Sequence, residues 1–153
     1  MKVDKKVEID HLSKDDIDNI TPLIISLLAE LDNTVVDTIQ YKQAINQFLE
    51  YPHSVILAAK HEGHYIGILT AVESIAIYAG GSYGVIQELY VSPQARSLNI
   101  GQQLIQELIS YATNKGWTRL EVTTPDPSMW ERTVAFYEKQ GFKQIGFRLK
   151  LPF

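Results

Sequence analysis

The sequence predicts a single mixed α/β domain, with a mostly antiparallel central sheet, one parallel strand pair and flanking helices. Three observations lead there. Apolar β-type runs separated by turn residues fill positions 54–91, in the manner of a meander. A strand, a loop and a helix then follow in direct succession from Val85 to Lys115. Another β-type run, Arg119–Thr124, comes immediately after that helix and so returns parallel to the strand before it.

Each element has a local reason. Val7–His11 alternates apolar and polar residues and reads as a short half-buried strand. Ser13 and Asp16 approximate a capping box. Ile17, Ile20, Leu23, Leu27 and Leu31 then trace one helical face, with Pro22 placed to divide the run. Asp32–Asn33 ends this helix, Asn33 being a residue type that accepts a left-handed cap. Thr38 opens a second helical pattern through Tyr41, Ile45 and Phe48. Pro52 marks the change to β structure. Ser54–Lys60 and Tyr65–Ala71 form a hairpin about Glu62–Gly63, the second strand reaching toward Ile77. Gly80–Ser82 turns the chain into the strand Tyr83–Val91. The helix after the central loop ends at Lys115–Gly116, a cation followed by a glycine cap. Pro125–Pro127 is a stiff loop, and Ser128 with Glu131 is placed to cap a helix that stops at Gly141. Phe142–Leu151 reads as a final strand region, with Gly146 as a kink or turn.

Composition narrows the function. A chain of 153 residues is long enough for one domain with a sizeable core, and no repeat or linker divides it, so 1–153 reads as one unit. Apolar residues make up 45% and charged residues 21%, an ordinary globular balance. The net charge of −4 and the lack of a basic run argue against nucleic acid as a partner. With no cysteine there is no disulfide, cysteine zinc site or thiol nucleophile. No apolar run is long enough to span a membrane and the start of the chain has no signal-like apolar stretch, so no membrane partner is expected and the cytoplasm is the expected compartment. His11, His53, His61 and His64 form no helical ligand pair; structural or surface roles and no metal are expected of them.

The stretch 85–115 carries the chemistry. The first turn of a helix has backbone N–H groups without intrahelical partners, and the helix dipole adds positive charge there. A loop wrapped onto that turn holds a phosphate or pyrophosphate. Arg96 adds a planar cation, Gly101 permits close backbone approach, and Asn99 accepts a left-handed conformation. On these grounds alone the stretch is equally an ordinary strand-to-helix connection.

The run V-x-P-x-x-R-x-x-x-I-G-x-x-L from Val91 to Leu104 resembles the acetyl-CoA-binding motif of the GNAT N-acetyltransferases. Arg96-Ser97-Leu98-Asn99-Ile100-Gly101 matches that family's Arg/Gln-x-x-Gly-x-Gly/Ala pattern except at Asn99, where the family usually has glycine. Ala135–Phe142 is similar to its FYxKxGF signature. The two motifs stand in the right order and at the right separation. The resemblance implies a GNAT fold with the parallel strands splayed apart, and acetyl-CoA as co-substrate. It implies that the backbone of Leu89, Tyr90 and Val91 receives the pantetheine, near a β-bulge that opens the cleft. The loop and helix start at Arg96, Ser97, Leu98, Asn99, Ile100, Gly101 and Gln102 would receive the pyrophosphate. Tyr137 aligns with the family's general acid; the plain alternative is a core aromatic beside Phe136. Trp130 and Thr133 stand where other members carry Asn and Ala, which puts a side-chain contact to CoA there in doubt.

Glu88 sits where some members place a carboxylate that deprotonates the amine through water. Regular strand alternation puts it on the face of Ile86 and Tyr90, where it is either a base in the cleft or an exposed strand acid. Glu73 is a second candidate. Asp32 and Asp37 border the region that adjoins the acceptor cleft in the family, but loop acids and helix caps explain them as well. The expected reaction is direct attack of a primary amine, from a small molecule or a protein, on the thioester in a ternary complex. Two rivals stand beside it. One is an acyl-CoA sensor or interaction module with little catalysis, and the other is a phosphate site for some other ligand. A homodimer is compatible with exposed aromatic or strand-edge surface, although no specific signature demands one.

Overall fold

Three long antiparallel strands grow from the apolar runs of 54–91 and hold the molecule together. The computed structural model describes residues 6–32, 37–124 and 130–153. The strands are β1 (Glu8–His11), β2 (Ser54–His61), β3 (His64–Ala76), β4 (Gly81–Val91) and β5 (Leu120–Val122). They form one sheet in chain order, antiparallel from β1 to β4 and parallel between β4 and β5. The helices are α1 (Ile17–Asp32), α2 (Thr38–Glu50), α3 (Ile100–Lys115) and α4 (Glu131–Lys139). The mixed sheet with its parallel pair and flanking helices is the arrangement expected from the sequence.

The central strands are buried on both faces, which is why Val55–Ala59 and Ile68–Ala71 read as nearly continuous small and apolar runs. Ile56, Ile68 and Tyr90 pack with Ile20, Leu23, Ile24 and Ile45 of α1 and α2. Leu57, Leu69 and Ile86 pack on the other face with Ile100, Leu104, Ile105 and Leu108 of α3, and Tyr137 of α4 joins them. The Glu62–Gly63 hairpin turn has positive φ at both residues (52° and 79°), the geometry of a two-residue turn matched to strand twist. Gly116 ends α3 with φ 73°, its amide donating to the carbonyls of Ala112 and Thr113.

Two details differ from the sequence reading. Pro22 lies inside one continuous α1, after a 3-10 turn at Lys14–Asp16, and does not divide it. Its ring faces solvent, as does Asp18, whose carbonyl loses the helical donor. The Asn33 cap, the Asp32 side chain and the Pro125–Ser128 loop with its cap lie outside the described residues. Phe142–Leu151 is not a strand, because no neighbour supplies a ladder among the described residues.

Gly84 fixes how α3 returns to the sheet. A Cβ there would meet Trp117 at 2.3 Å and Leu120 at 2.7 Å, so the indole lies flat on bare β4 backbone. Trp117 cannot swing aside freely, since its Nε1 donates to Glu73 at 2.6 Å. Gly84→Ala should therefore lower unfolding free energy by about 1–3 kcal/mol, the usual cost of overpacking. Urea titration followed by Trp fluorescence checks this, and an unmoved midpoint would contradict the packing account.

Candidate functional site

The site begins with one extra residue. Thr70 of β3 pairs with Glu88 of β4, but the next residue, Ala71, pairs with Ile86, so Gln87 bulges out of the ladder. Gln87 is exposed, as a bulged residue with no opposite number is free to be. Side-chain alternation changes phase across it. Ile86 faces α3, whereas Tyr90 faces α1 and α2. Regular alternation had placed Ile86, Glu88 and Tyr90 on one face; the bulge separates Ile86 from the other two. The parallel pairing with β5 covers Gly84–Ile86 and stops there. From Glu88 to Val91, β4 is bound to β3 on one side and is unpaired with β5 on the other. This is the splay expected for the parallel pair.

Glu88 is half-buried beside that opening. The Thr70 hydroxyl accepts from the Glu88 amide at 3.1 Å and donates to the Glu88 carboxylate. Burial raises the pKa of the carboxyl above its ordinary value, and the Thr70 hydrogen bond offsets only part of that rise. A carboxylate held by one hydroxyl, less acidic than usual and at the mouth of a gap, is suited to accept a proton. Glu73 is occupied elsewhere by Trp117. Asp37 caps α2, accepting from the amides of Ile39 and Gln40.

Beyond Val91 the chain makes a 3-10 turn, Pro93–Leu98, and Asn99 then adopts the left-handed region (φ 57°, ψ 29°) before α3 begins. Asn is one of the few residues with a side chain that accepts this conformation. Its side chain does not cap α3. The first amides of that helix, at Ile100, Gly101 and Gln102, therefore stand at a positive helix end beside the exposed loop Arg96–Asn99. Gln103 is already committed, its amide donating to Asn99 O at 3.1 Å.

Arg96 takes an unexpected position. Its Nε donates to Val91 O at 3.0 Å, and its Nη2 lies 2.8 and 2.9 Å from the two carboxylate oxygens of Glu30 on α1. The guanidinium also stands over the Tyr90 ring. It thus ties the loop to the end of β4 and to α1. Sequence reasoning missed Glu30, and no local signal marks it, because the pair is 66 residues apart.

Gly101 also has a packing role. A Cβ there would approach Phe136 at 2.9 Å, so the ring of α4 rests on the first turn of α3. Tyr137 is buried in the α3-side core, in edge contact with Phe136 and Phe142 at 5.3 and 5.4 Å between ring centres. Burial pushes its phenol up to about 12. It stays protonated across the neutral range and can act only as a proton donor there. Among the expected site residues, Leu89, Val91, Ile100 and Tyr137 share the α3-side cluster, while Glu88 and Tyr90 lie across the sheet. Two surface hollows of about 410 and 440 Å³ lie elsewhere, one around His11, Leu49 and Tyr111 and the other around Asp16, Lys60 and Tyr65.

The comparisons with known proteins agree with this geometry. Residues 18–142 match the family model described as Acetyltransferase (GNAT) family. An "IAA acetyltransferase" of Azospirillum brasilense is 30% identical over 129 residues, 80% of this chain and 78% of that protein. An "Aminoalkylphosphonate N-acetyltransferase" of Salmonella typhimurium is 28% identical over 143 residues, 92% of this chain and 88% of that one. Among solved structures, a ribosomal-protein-alanine N-acetyltransferase from Brucella melitensis superposes with a TM-score of 0.79 at 21% identity, covering 97% and 99% of the two chains. With its bulged β4, uncapped α3 and a family match over most of its length, the chain belongs to the GNAT family of acetyltransferases.

Proposed function

We propose that the protein transfers the acetyl group of acetyl-CoA to a primary amine by direct attack in a ternary complex. The observation that carries this is the adjacency of two features. A stretch of β4, Glu88–Val91, that is paired with β3 but, among the described residues, not with β5 runs directly into the loop whose far end is the uncapped first turn of α3. An extended amide chain ending in a pyrophosphate matches that sequence of groups: free strand edge, then helix-start amides. The residues present fit acetyl-CoA on this ground. Leu89, Tyr90 and Val91 would hold the pantetheine through backbone groups, and Ser97, Leu98, Asn99, Ile100, Gly101 and Gln102 would hold the phosphates. Acetyl-CoA supplies an acyl carbon already activated as a thioester.

The chain's own groups do the rest. Glu88 accepts the amine proton, through a water where the amine does not reach it, and its raised pKa improves it as a base at neutral pH. Tyr137, on the other side of the strand, holds its proton until a departing thiolate takes it. The Asn99 side chain is larger than the family glycine, but it makes no cap and leaves the helix-start amides to the ligand. Arg96 keeps the loop in its binding shape through Val91 and Glu30.

A free-thiol release assay over a panel of primary amines tests the proposal directly. Acetyl-CoA should give amine-dependent thiol release, and a panel that never exceeds the protein-free rate would count against transfer to amines. Tyr137→Phe should lower kcat by roughly 10²-fold or more with little change in acetyl-CoA affinity, as for loss of a general acid. Unchanged turnover would remove Tyr137 from the mechanism. Arg96→Ala should weaken acetyl-CoA binding, yet leave a pantetheine thioester without the pyrophosphate nearly unaffected. Equal losses for both would refute the loop assignment.

Glu88 has a stability signature as well. Its folded pKa is raised, so its contribution to stability is full below its ordinary pKa of 4.5 and is lost as pH rises through the folded value. Gln at this position keeps an acceptor for Thr70 without the buried charge. Glu88→Gln should thus be more stable than the parent at neutral pH, with the gap closing in acid, while amine turnover falls. Urea unfolding across pH reads the first effect, and a constant gap would show that Glu88 is not desolvated.

A further inference from the structure

Among the described residues, the buried polar side chains are Thr21 and Thr70, each 3% exposed. Thr21 is explained by its own helix, since its hydroxyl donates to Ile17 O one turn back at 2.6 Å. Thr70 has no such local use. It stands in β3 among Ile68, Leu69 and Ala71, which are fully buried, and a valine would suit that setting by shape. The hydroxyl is the exception in an apolar run, and it is spent entirely on Glu88. A hydroxyl offers one proton and two lone pairs. The Glu88 amide occupies a lone pair of Thr70 Oγ1 at 3.1 Å, and the hydroxyl proton goes to the Glu88 carboxylate.

The register puts Thr70 directly opposite Glu88, at the pair next to the bulged Gln87. The amide bond therefore orients the hydroxyl and aims its proton at the carboxylate. A donor aimed in this way favours the ionised form of the acid, because a hydrogen bond to a charged oxygen is the stronger one. No other described group supplies this. The residues that α1 and α2 turn to this face of the sheet are apolar, Ile20, Leu23, Ile24 and Ile45. The charges of the surrounding elements are engaged with one another: Glu30 of α1 with Arg96, Asp18 of α1 with Lys42 of α2, and Glu121 of β5 with Arg119. Glu73 of β3 binds Trp117 on the α3 side. Burial raises the Glu88 carboxyl and the Thr70 hydroxyl opposes that rise.

Resting on the reading that Glu88 accepts the amine proton, we propose that Thr70 is a positioning residue of the transfer. Its hydroxyl locks the bulged strand to the carboxylate and keeps that carboxylate aimed and ionised for the proton. One side chain on β3 thus ties the backbone geometry that opens the cleft to the readiness of the base beside it. Valine would fill the space and do neither.

Two readouts on Thr70→Val and Thr70→Ser test this: carboxyl-carbon NMR titration of Glu88, assigned with Glu88→Gln, and the pH–rate profile of thiol release over the panel of primary amines. In Thr70→Val the Glu88 carboxyl should titrate at higher pH than in the native chain. The acid limb of the profile should move up with it, turnover falling severalfold on the acid side and recovering at alkaline pH. Thr70→Ser keeps the hydroxyl and should match the native chain in both readouts. Should Thr70→Val not fold, Thr70→Ala removes the hydroxyl with less bulk and reads the same. Stability carries the same sign: the folded-state pKa of Glu88 rises further, so the deficit of Thr70→Val should widen as pH rises through it. A valine variant with titration and acid limb at their native positions would reduce Thr70 to packing, as would a serine variant displaced as far as the valine one. A displaced titration in a chain that releases thiol with no amine would instead strike the transfer reading, and the role built on it.

Discussion

The bulge at Gln87 is the constraint on which the site depends. A regular β4 would continue its pairing with β5 and would carry Ile86, Glu88 and Tyr90 on one face. One extra residue ends the parallel pairing at Ile86 and turns Glu88 and Tyr90 to the α1 side, leaving Leu89 and Val91 toward α3. The same insertion therefore frees a strand edge and sets a proton acceptor beside it. Thr70 stabilises the altered geometry, because its one hydroxyl serves both the amide and the carboxylate of Glu88.

The loop after β4 is held from three sides. Asn99 supplies the left-handed residue that turns the chain into α3, Arg96 ties the loop to Val91 and Glu30, and Phe136 rests on Gly101. Each contact is modest. The Arg96–Glu30 pair is about half-exposed and is worth little by itself in water. Its use is positional, since it links the loop to α1, the helix that packs on the Glu88 face. The two sides of the sheet are thereby connected through the end of β4.

Much of this was legible in the sequence, and the rest was not for identifiable reasons. The hairpin at Glu62–Gly63, the left-handed Asn99 and the Gly116 cap are local, so residue type alone announces them. The two motifs marked the loop and Tyr137. The resemblance implied a bulge near Leu89–Val91, but which residue bulges was not readable, because a one-residue insertion in an apolar run leaves no mark on composition, and the phase of Glu88 changed with it. Glu30 was invisible because the pairing is long-range. Pro22 misled because its exposed position lets water replace the missing bond. The final segment misled in another way: its pattern is that of a strand, but a pattern cannot supply a neighbour.

The most direct measurement is thermal unfolding of the protein alone and with saturating acetyl-CoA, CoA or ATP. The free edge of β4 and the start of α3 act as one continuous binding surface in this account, so acetyl-CoA and CoA should both raise the transition. A ligand at about one hundred times its Kd adds about 2.7 kcal/mol to the native state. ATP, which has phosphates but no pantetheine, should raise it far less. Equal shifts with ATP and acetyl-CoA would reduce the surface to a phosphate site, and no shift with acetyl-CoA would contradict the account at its centre.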